Sequence, residues 1–313
     1  MRPAYLTLTG LDEIAQRADL ATARLRDCTL CPRRCRVDRL VGEQGYCRVG
    51  PLARIASVGP HFGEERPLVG WKGSGTIFLS SCNMRCVYCQ NYPISHRGEG
   101  TEVTDEEFGL MMLSLQERGC HNINLVTPSH VVPMVLRGLL FAARNGLNVP
   151  LVYNTGGYDA VETLKLLDGI VDIYMPDIKY ADNEVALYLS DAPHYWDVVR
   201  ETVSEMQHQV GDLTIKGGIA RRGLLIRHLV LPGGLAGSST VLNFIAGEIS
   251  QDTYVNVMEQ YQSNLSEDLL RCITNRPGFK DLCRGITRSE YQEVISCAAS
   301  LGLHRGVPGS AGE

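Results

Sequence analysis

The chain has 313 residues, of which 44% are hydrophobic and 21% are charged, and its formal net charge is -5. This length allows one barrel-sized domain of about 200–250 residues plus an appendage. The acidic balance gives no electrostatic reason to expect nucleic acid or an anionic membrane as a partner. The longest apolar stretch, residues 131–143, contains Arg137, so we do not expect a membrane span.

The chain contains eleven cysteines. Its first twenty residues show no apolar segment of the kind found in secretory signals. Disulfides are rare in the reducing cytoplasm, and cysteines there serve more often as metal ligands or reactive thiols. The sequence therefore predicts a cytoplasmic protein with metal sites.

The first four cysteines are spaced C-x2-C-x3-C-x11-C and are Cys28, Cys31, Cys35 and Cys47. Four thiolates form a complete ligand set, so this segment predicts a closed site that holds either structural zinc or an auxiliary [4Fe–4S] cluster. Four nearby arginines would offset the negative charge of the thiolates. The arginines are Arg33, Arg34, Arg36 and Arg39.

The next polar segment, residues 61–71, contains His61, Glu64 and Glu65. These side chains could face an active site. A solvated loop is the commoner place for such residues, and we expect them there.

The middle of the chain alternates β-branched apolar runs with segments of helical period. Six strands are predicted, at residues 76–80, 122–126, 150–154, 170–175, 224–231 and 253–258. Helices are predicted at residues 131–145, 160–167, 195–210 and 240–249. A further helix begins at the capping box of Thr104 and Glu107 and ends at Gly119.

Strands that alternate with helices predict parallel βαβ units. Six units indicate an α/β fold of the partial (β/α)6 TIM-like barrel type, and a flat doubly wound sheet is the alternative. The expected regions are an N-terminal extension at 1–73, a barrel core at 74–261 and a C-terminal segment at 262–313. Within the last region, residues 262–288 are the expected lid, and a final helix is predicted near residues 289–301.

A second cysteine motif, C-x3-C-x2-C, directly follows the first predicted barrel strand and contains Cys82, Cys86 and Cys89. A zinc site would need a fourth ligand, for which His96 is the nearest candidate. A [4Fe–4S] cluster held by three thiolates instead leaves one iron open to an external molecule. Because the cysteine motif directly follows a strand, its loop is expected at the rim where barrel active sites form. Tyr88 could shield such a cluster and lie against a purine.

The cysteine loop resembles that of the radical S-adenosylmethionine (SAM) superfamily. Several further motifs between residues 28 and 261 resemble the PflX branch, which is related to pyruvate formate-lyase activating enzymes. These motifs are "CPRRC", "GEQGYC", "HFGEE", "GSGTIF", "CNMRCVYCQN", "NINLVTPSH", "VYNTGGYD", "MPDIKYAD" and "VNVMEQY".

The resemblance implies that SAM chelates the open iron of the cluster. An electron from a flavodoxin- or ferredoxin-type donor then cleaves SAM to methionine and a 5′-deoxyadenosyl radical, which abstracts a hydrogen atom from the substrate. In such enzymes the cofactors supply the chemistry, and the protein supplies orientation and electrostatics.

Asn154 ends the third predicted strand on the expected active rim and is a candidate for binding SAM or substrate. The resemblance implies that Asp177 and Lys179 lie near SAM and substrate and that Arg227 contacts SAM. Relatives often hold the SAM amino group with a Gly-Gly-Glu motif after the second strand, where this chain reads "VTPSH". The resemblance then leaves backbone carbonyls or side chains near that strand for this contact. The candidate side chains are Asn124, Thr127 and Ser129. His228, next to Arg227, is expected to point away from the barrel interior.

Four cysteines lie outside the two motifs. Cys272 and Cys283 follow the last strand and are candidate hydrogen-atom donors, with simple burial as the alternative. Cys120 precedes the second strand, at the end of the barrel away from the chemistry. Cys297 lies on the apolar face of the final helix and is expected to pack in the protein core.

Two enzymatic functions follow from the resemblance. One is hydrogen abstraction from a small molecule or sugar-like metabolite, by epimerisation or a similar modification. The other is activation of a glycyl radical enzyme, in which case that enzyme is the partner. The long segment after "QY" at residues 260–261 favours a closed pocket and therefore the small molecule. A cluster-bearing scaffold is a third, non-enzymatic alternative that needs no open iron.

Overall fold

One mixed sheet forms the centre of this computed structural model, which describes residues 2–7, 11–263 and 279–309. Its strands are β1 (Ala53–His61), β2 (Ser74–Leu79), β3 (Thr101–Val103), β4 (Ile123–Val126), β5 (Leu151–Thr155), β6 (Ile173–Pro176), β7 (Thr214–Lys216), β8 (Ile219–Leu229) and β9 (Tyr254–Met258).

Six of these strands are parallel neighbours in the order β2-β4-β5-β6-β8-β9. They correspond to the six strands predicted from the sequence. In the register of the parallel sheet, Thr76 pairs with Asn124, and Asn124 pairs with Val152. The predicted α/β fold, a partial (β/α)6 TIM-like barrel, is confirmed.

Three antiparallel strands extend the sheet. β1 pairs with β2, β3 pairs with β1, and β7 pairs with β8. These strands were not predictable from the sequence, because β1 contains Gly59 and Pro60 and β3 and β7 are only three residues long. Through β1, the N-terminal extension is part of the same sheet as the barrel strands.

Ten α-helices are present in the described ranges. They are α1 (Leu11–Ala23), α2 (Arg66–Val69), α3 (Tyr92–Ser95), α4 (Asp105–Glu117), α5 (Val132–Arg144), α6 (Val161–Leu164), α7 (Asn183–Ser190), α8 (Tyr195–Val210), α9 (Ser238–Phe244) and α10 (Arg288–Ser300). None of the described helices is long and apolar enough to cross a membrane.

The predicted capping box opens α4. The Thr104 hydroxyl accepts from the backbone N–H of Glu107 at 3.2 Å, and the Glu107 carboxylate accepts from the backbone N–H of Thr104 at 2.8 Å. These bonds satisfy two donors that the first helical turn leaves unpaired. Helix α7 was not predicted. It begins where the Asp182 carboxylate accepts from the N–H groups of residues 184 and 185.

Apolar side chains form separate clusters on the two faces of the parallel strands. The larger cluster lies between the strands and the surrounding helices. The smaller cluster includes Val152, Ile173, Met175 and Leu225, which lie on the opposite face, toward the barrel interior. Leu68 of α2 belongs to this inner cluster. The segment between β1 and β2 therefore enters the barrel.

Candidate active site

Cys82, Cys86 and Cys89 lie on one loop directly after β2. Arg85 stabilises this loop, because its Nη1 donates to the carbonyl oxygens of Cys82 at 2.7 Å and Met84 at 2.9 Å. The N–H groups of residues 85 and 87 donate to the carbonyl oxygens of residues 190 and 189 at the end of α7. The helix that sequence analysis missed thus fixes the position of the cysteine loop.

Two of the thiols, Cys82 and Cys86, are disfavoured as thiolates in the free protein because their pKa values are raised. Burial and the neighbouring Cys86 raise the pKa of the Cys82 thiol to about 12. Burial also raises the pKa of Cys86, and the positive charge of Lys179 opposes that shift. A bound cationic group would restore the thiolates that serve as ligands.

The donor set fits an iron–sulfur cluster. Its three thiols are soft sulfur donors, which iron–sulfur clusters take as ligands. In a cluster each thiolate binds a different iron, so the sulfurs need not converge on one atom. Cys82, Cys86 and Cys89 would hold three irons of a [4Fe–4S] cluster.

His96 does not complete the cysteine set directly. The Ser95 hydroxyl lies between them, 3.1 Å from Cys89 Sγ and 2.8 Å from His96 Nδ1. The His96 ring stacks on Tyr92, with ring centroids 4.3 Å apart. Burial and the nearby Arg85 lower the His96 pKa. The geometry gives no support to His96 as the fourth ligand of a zinc site.

Tyr88 belongs to a chain of hydroxyl groups that ends on a thiol. Its hydroxyl lies 2.5 Å from that of Tyr180, which lies 2.7 Å from Ser190 Oγ. The Ser190 hydroxyl donates to Cys86 Sγ at 3.0 Å. The buried Tyr88 ring also packs edge-on against Tyr261. Tyr88 therefore lies beside the cysteine loop, and its shielding of a cluster and its contact with a purine stay predictions.

The structure brings together all four rim residues that were predicted to bind SAM or substrate. Arg227 Nε donates to Asp177 Oδ1 at 2.8 Å, and its Nη2 donates to Asn154 Oδ1 at 2.7 Å. Lys179 Nζ donates to Asp177 Oδ2 at 2.5 Å. Asp177 thus accepts from two cations at once.

Electrostatics keep these groups charged. Burial alone would raise the Asp177 pKa, but Arg227 and Lys179 outweigh burial and lower it. Burial alone would lower the Lys179 pKa, but Asp177 and Cys86 raise it. The cysteine loop and the charged rim therefore interact through Lys179.

Glu64 and Glu65 correct the expectation of a solvated loop. The Glu64 side chain is 7% exposed, and its Oε2 accepts from Arg227 Nη1 at 3.3 Å. Glu65 Oε1 accepts from Asn256 Nδ2 at 2.7 Å. Both carboxylates enter the barrel because Leu68, a few residues later, is buried in the inner cluster. The apolar "PLV" at residues 67–69 was the available signal for this burial.

The residues that replace the Gly-Gly-Glu motif have different surroundings. Asn124 is fully buried on the inner face, and neither atom of its amide has a hydrogen-bond partner among the described residues. Thr127 has a φ of 64°, and its N–H donates to the Asn154 carbonyl oxygen at 2.8 Å. The Ser129 hydroxyl lies 3.0 Å from that of Thr155, which alternates with Asn154 and so lies on the outer face. Of these side chains, Asn124 is best placed for a ligand.

The remaining cysteines have contrasting positions. Cys283 is exposed, and burial together with Cys283 raises the pKa of Tyr261 to about 12. Cys120 is buried before β4, and Cys297 packs partly buried against the main core. Cys272 and much of the expected lid, residues 264–278, lie outside the described residues.

The four N-terminal cysteines form a second group. Cys28, Cys31, Cys35 and Cys47 line one cavity. Asn83, next to Cys82, lies on the wall of the same cavity. The two cysteine motifs are therefore neighbours in the fold.

Comparison with known proteins finds a relative that matches most of the chain. Protein MJ0674 of Methanocaldococcus jannaschii is 28% identical over 302 residues, which cover 92% of this chain and 78% of that protein.

Three solved structures are similar to this chain at low identity. The structure of TYW1 with a lysine-pyruvate adduct bound has 10% identity and a TM-score of 0.44, over 72% of this chain and 73% of that one. Native anSMEcpe with bound AdoMet has 10% identity and a TM-score of 0.45, over 71% of this chain and 57% of that one. HydG, a maturase of the [FeFe]-hydrogenase, has 15% identity and a TM-score of 0.44, over 73% of this chain and 49% of that one.

The family comparison covers the central part of the fold. The radical SAM superfamily model matches residues 76–216, which run from β2 to β7 and include the Cys82–Cys89 loop, Asp177 and Lys179. Residues 76–216 of this chain are therefore similar to the radical SAM superfamily domain.

Proposed function

We propose that this chain is an enzyme that reductively cleaves SAM at a [4Fe–4S] cluster held by Cys82, Cys86 and Cys89. The reaction abstracts a hydrogen atom from a small polar molecule, in an epimerisation or a similar modification. Its motifs resemble those of the PflX-like branch, and we propose that it belongs there. When bound, the cluster and SAM supply the radical chemistry.

One observation carries this proposal. The three-thiol loop lies beside a charged rim in which Asp177, Lys179, Arg227 and Asn154 contact one another. SAM carries a carboxylate and an ammonium group. Lys179 and Arg227 would bind the carboxylate, and Asp177 would bind the ammonium group.

The inner wall of the barrel supports a small polar substrate. Asn124 offers a donor and an acceptor that are both buried and unpartnered in the described structure, and Glu65 Oε2 is a third such atom. Leaving a buried polar atom unpaired costs about 1–3 kcal/mol, so a hydroxyl- or amine-bearing substrate that pairs with these atoms would recover that energy. Such atoms suit a molecule small enough to enter the barrel.

Epimerisation also needs a hydrogen-atom donor for the second half of the reaction. Cys283 is the described candidate, because it is exposed and lies near Tyr261, which packs against Tyr88. Cys272 remains the second candidate.

SAM cleavage is tested with anaerobically reconstituted protein, a chemical reductant and SAM. We expect the wild-type chain to form 5′-deoxyadenosine and Cys86→Ala to form none. Cys297→Ala is the matched control, since this cysteine lies outside both motifs, and it should retain the wild-type yield. Equal yields from wild type and Cys86→Ala would overturn the proposal.

The substrate class is tested by isotope transfer. Extract from cells grown in deuterated medium is separated into a small-molecule fraction and a protein fraction, and each is added to the reaction with unlabelled SAM. Deuterium in 5′-deoxyadenosine from the small-molecule fraction alone supports a diffusible substrate. Deuterium from the protein fraction alone would assign the activating role instead.

A further inference from the structure

Four cysteines of the N-terminal extension face one cavity. Cys28, Cys31 and Cys47 are each 7–8% exposed, and Cys35 completes the set. Four thiols that come from twenty consecutive residues and line the same cavity are typical of metal ligation.

The backbone around these cysteines is held in an uncommon conformation. Arg34, Arg36 and Arg48 have φ values of 42°, 59° and 58°. Left-handed backbone at ordinary residues is strained and persists where the surrounding structure enforces it. A Cβ at Gly45 would lie 2.8 Å from Cys35 Cβ and 2.9 Å from its Sγ, so only glycine fits there. The chain thus bends tightly around the cavity.

Polar groups on the cavity wall lack partners. Arg39 is 1% exposed, and its Nη1 donates to the carbonyl oxygen of His130 at 2.8 Å and lies 3.9 Å from Cys28 Sγ. Its Nε has no hydrogen-bond partner in the described part of the chain, and neither has Nδ1 of the buried His130. A buried guanidinium with a spare donor beside four sulfurs matches an anionic centre with acceptor atoms.

The ligand arrangement favours a cluster over zinc. Structural zinc sites use paired short spacings and draw their ligands to about 2.3 Å from one ion. Here only Cys28 and Cys31 form a C-x2-C pair, and the four cysteines line a shared cavity. A [4Fe–4S] cluster distributes its four thiolates over four irons.

The cavity adjoins the radical SAM loop. Arg33 Nε donates to the Asn83 carbonyl oxygen at 2.9 Å, and its guanidinium lies over the Tyr46 ring at 3.6 Å. Arg85 of the radical SAM loop donates from Nη2 to the Tyr46 carbonyl oxygen at 2.9 Å. The two cysteine sites therefore share a wall.

We propose that Cys28, Cys31, Cys35 and Cys47 hold an auxiliary [4Fe–4S] cluster. Each of its irons has a protein thiolate, so it offers no open iron to SAM. Arg39 donates to it from Nε and offsets its negative charge. This proposal concerns a site separate from that of the proposed SAM cleavage and does not depend on it.

Metal analysis of the full chain tests the proposal. Wild type, reconstituted anaerobically with iron and sulfide, should hold about eight irons per chain, four for each cluster. The triple variant Cys82→Ala/Cys86→Ala/Cys89→Ala should keep about four irons and equal sulfide, with a [4Fe–4S] Mössbauer spectrum. Retention of one zinc and no iron by that variant would overturn the proposal.

A complementary variant keeps the test informative if the triple variant does not fold. Cys31→Ser/Cys35→Ser should lose about half the wild-type iron and keep the iron of the SAM site. Cys120→Ser is the matched control and should retain the wild-type iron content. A wild-type content of only about four irons, unchanged by Cys31→Ser/Cys35→Ser, would contradict a second cluster.

Discussion

Arg227 Nε donates to Asp177 Oδ1 at 2.8 Å and joins the carboxyl ends of β8 and β6. The same guanidinium contacts Glu64 from the N-terminal extension, 163 residues away in sequence. Arg227 therefore lies between two carboxylates whose pKa values are shifted in opposite directions. Burial raises the pKa of Glu64, whereas Arg227 and Lys179 outweigh burial and lower that of Asp177.

This difference predicts unequal effects of neutralising the two carboxylates. Asp177→Asn leaves Lys179 and Arg227 without their shared counter-charge, so we expect the free energy of unfolding to fall by about 3 kcal/mol. Glu64→Gln removes a carboxylate whose charge burial already disfavours, and a change within about 1 kcal/mol is expected. Urea unfolding of the two variants measures the contrast. An equal loss of stability in both variants would contradict the conclusion that Asp177 is the main counter-charge of Lys179 and Arg227.

Gly157 lies against the backbone of Asp177, so a side chain added at Gly157 should displace that residue. Its φ is 76°, and an added Cβ would lie 2.6 Å from the Asp177 carbonyl oxygen. Gly157→Ala should therefore lower stability by more than the roughly 1–2 kcal/mol of left-handed strain alone, and should reduce SAM cleavage. Gly146→Ala is the matched control, because Gly146 has a φ of 94° and no atom within 4 Å of an added Cβ. Equal stability and activity of the two variants would rule out this displacement.

Ser190 predicts a shift in reduction potential. Its hydroxyl donates to Cys86 Sγ at 3.0 Å, and hydrogen bonds to cluster sulfurs favour the more negative, reduced state. Ser190→Ala should lower the potential of the SAM-site cluster; a bond worth about 1 kcal/mol corresponds to roughly 40 mV for one electron. Redox titration monitored by electron paramagnetic resonance measures the shift. An unchanged or higher potential would show that the hydroxyl does not donate to this ligand.

His228 predicts a loss of stability in acid. It points outward as expected, with Nδ1 2.7 Å from the Ile178 carbonyl oxygen and Nε2 2.8 Å from Ser238 Oγ. Burial lowers its pKa from 6.5 to about 4, so below pH 6.5 the unfolded chain binds the proton more readily. The stabilisation is complete above pH 6.5 and is lost as the pH falls to about 4, by up to about 3 kcal/mol.

Urea unfolding of the metal-free chain between pH 7 and pH 4 measures this effect. His228→Gln should show a shallower dependence on pH than the wild type. Identical slopes would mean that His228 does not titrate as its burial requires.

The strands and the rim residues were predictable because their signals are local. Each barrel strand is a short apolar run, and the parallel topology then brings Asn154, Asp177 and Arg227 to one end of the barrel. The positions of Glu64 and Glu65 were not predictable in this way. Their burial depends on Leu68 packing against residues of β5 to β8, which are distant in sequence.

The contact between the two cysteine motifs also depends on residues that are distant in sequence, so it was not predictable. The spacing predicted each set of thiols, and the ends of the strands predicted where the second set lies. Their shared wall depends on Arg33 reaching Asn83, fifty residues further along the chain. Helix α7 was missed because its eight residues show only a weak apolar stripe, although Asp182 is a standard N-cap residue.

Electron paramagnetic resonance of the reduced protein, with and without SAM, tests most directly whether the Cys82–Cys89 loop holds a cluster with an open iron. In Cys31→Ser/Cys35→Ser, which retains the SAM site alone, addition of SAM should change the spectrum of the reduced cluster, since SAM becomes a ligand of that iron. A reduced [4Fe–4S] signal that is identical with and without saturating SAM would contradict the account.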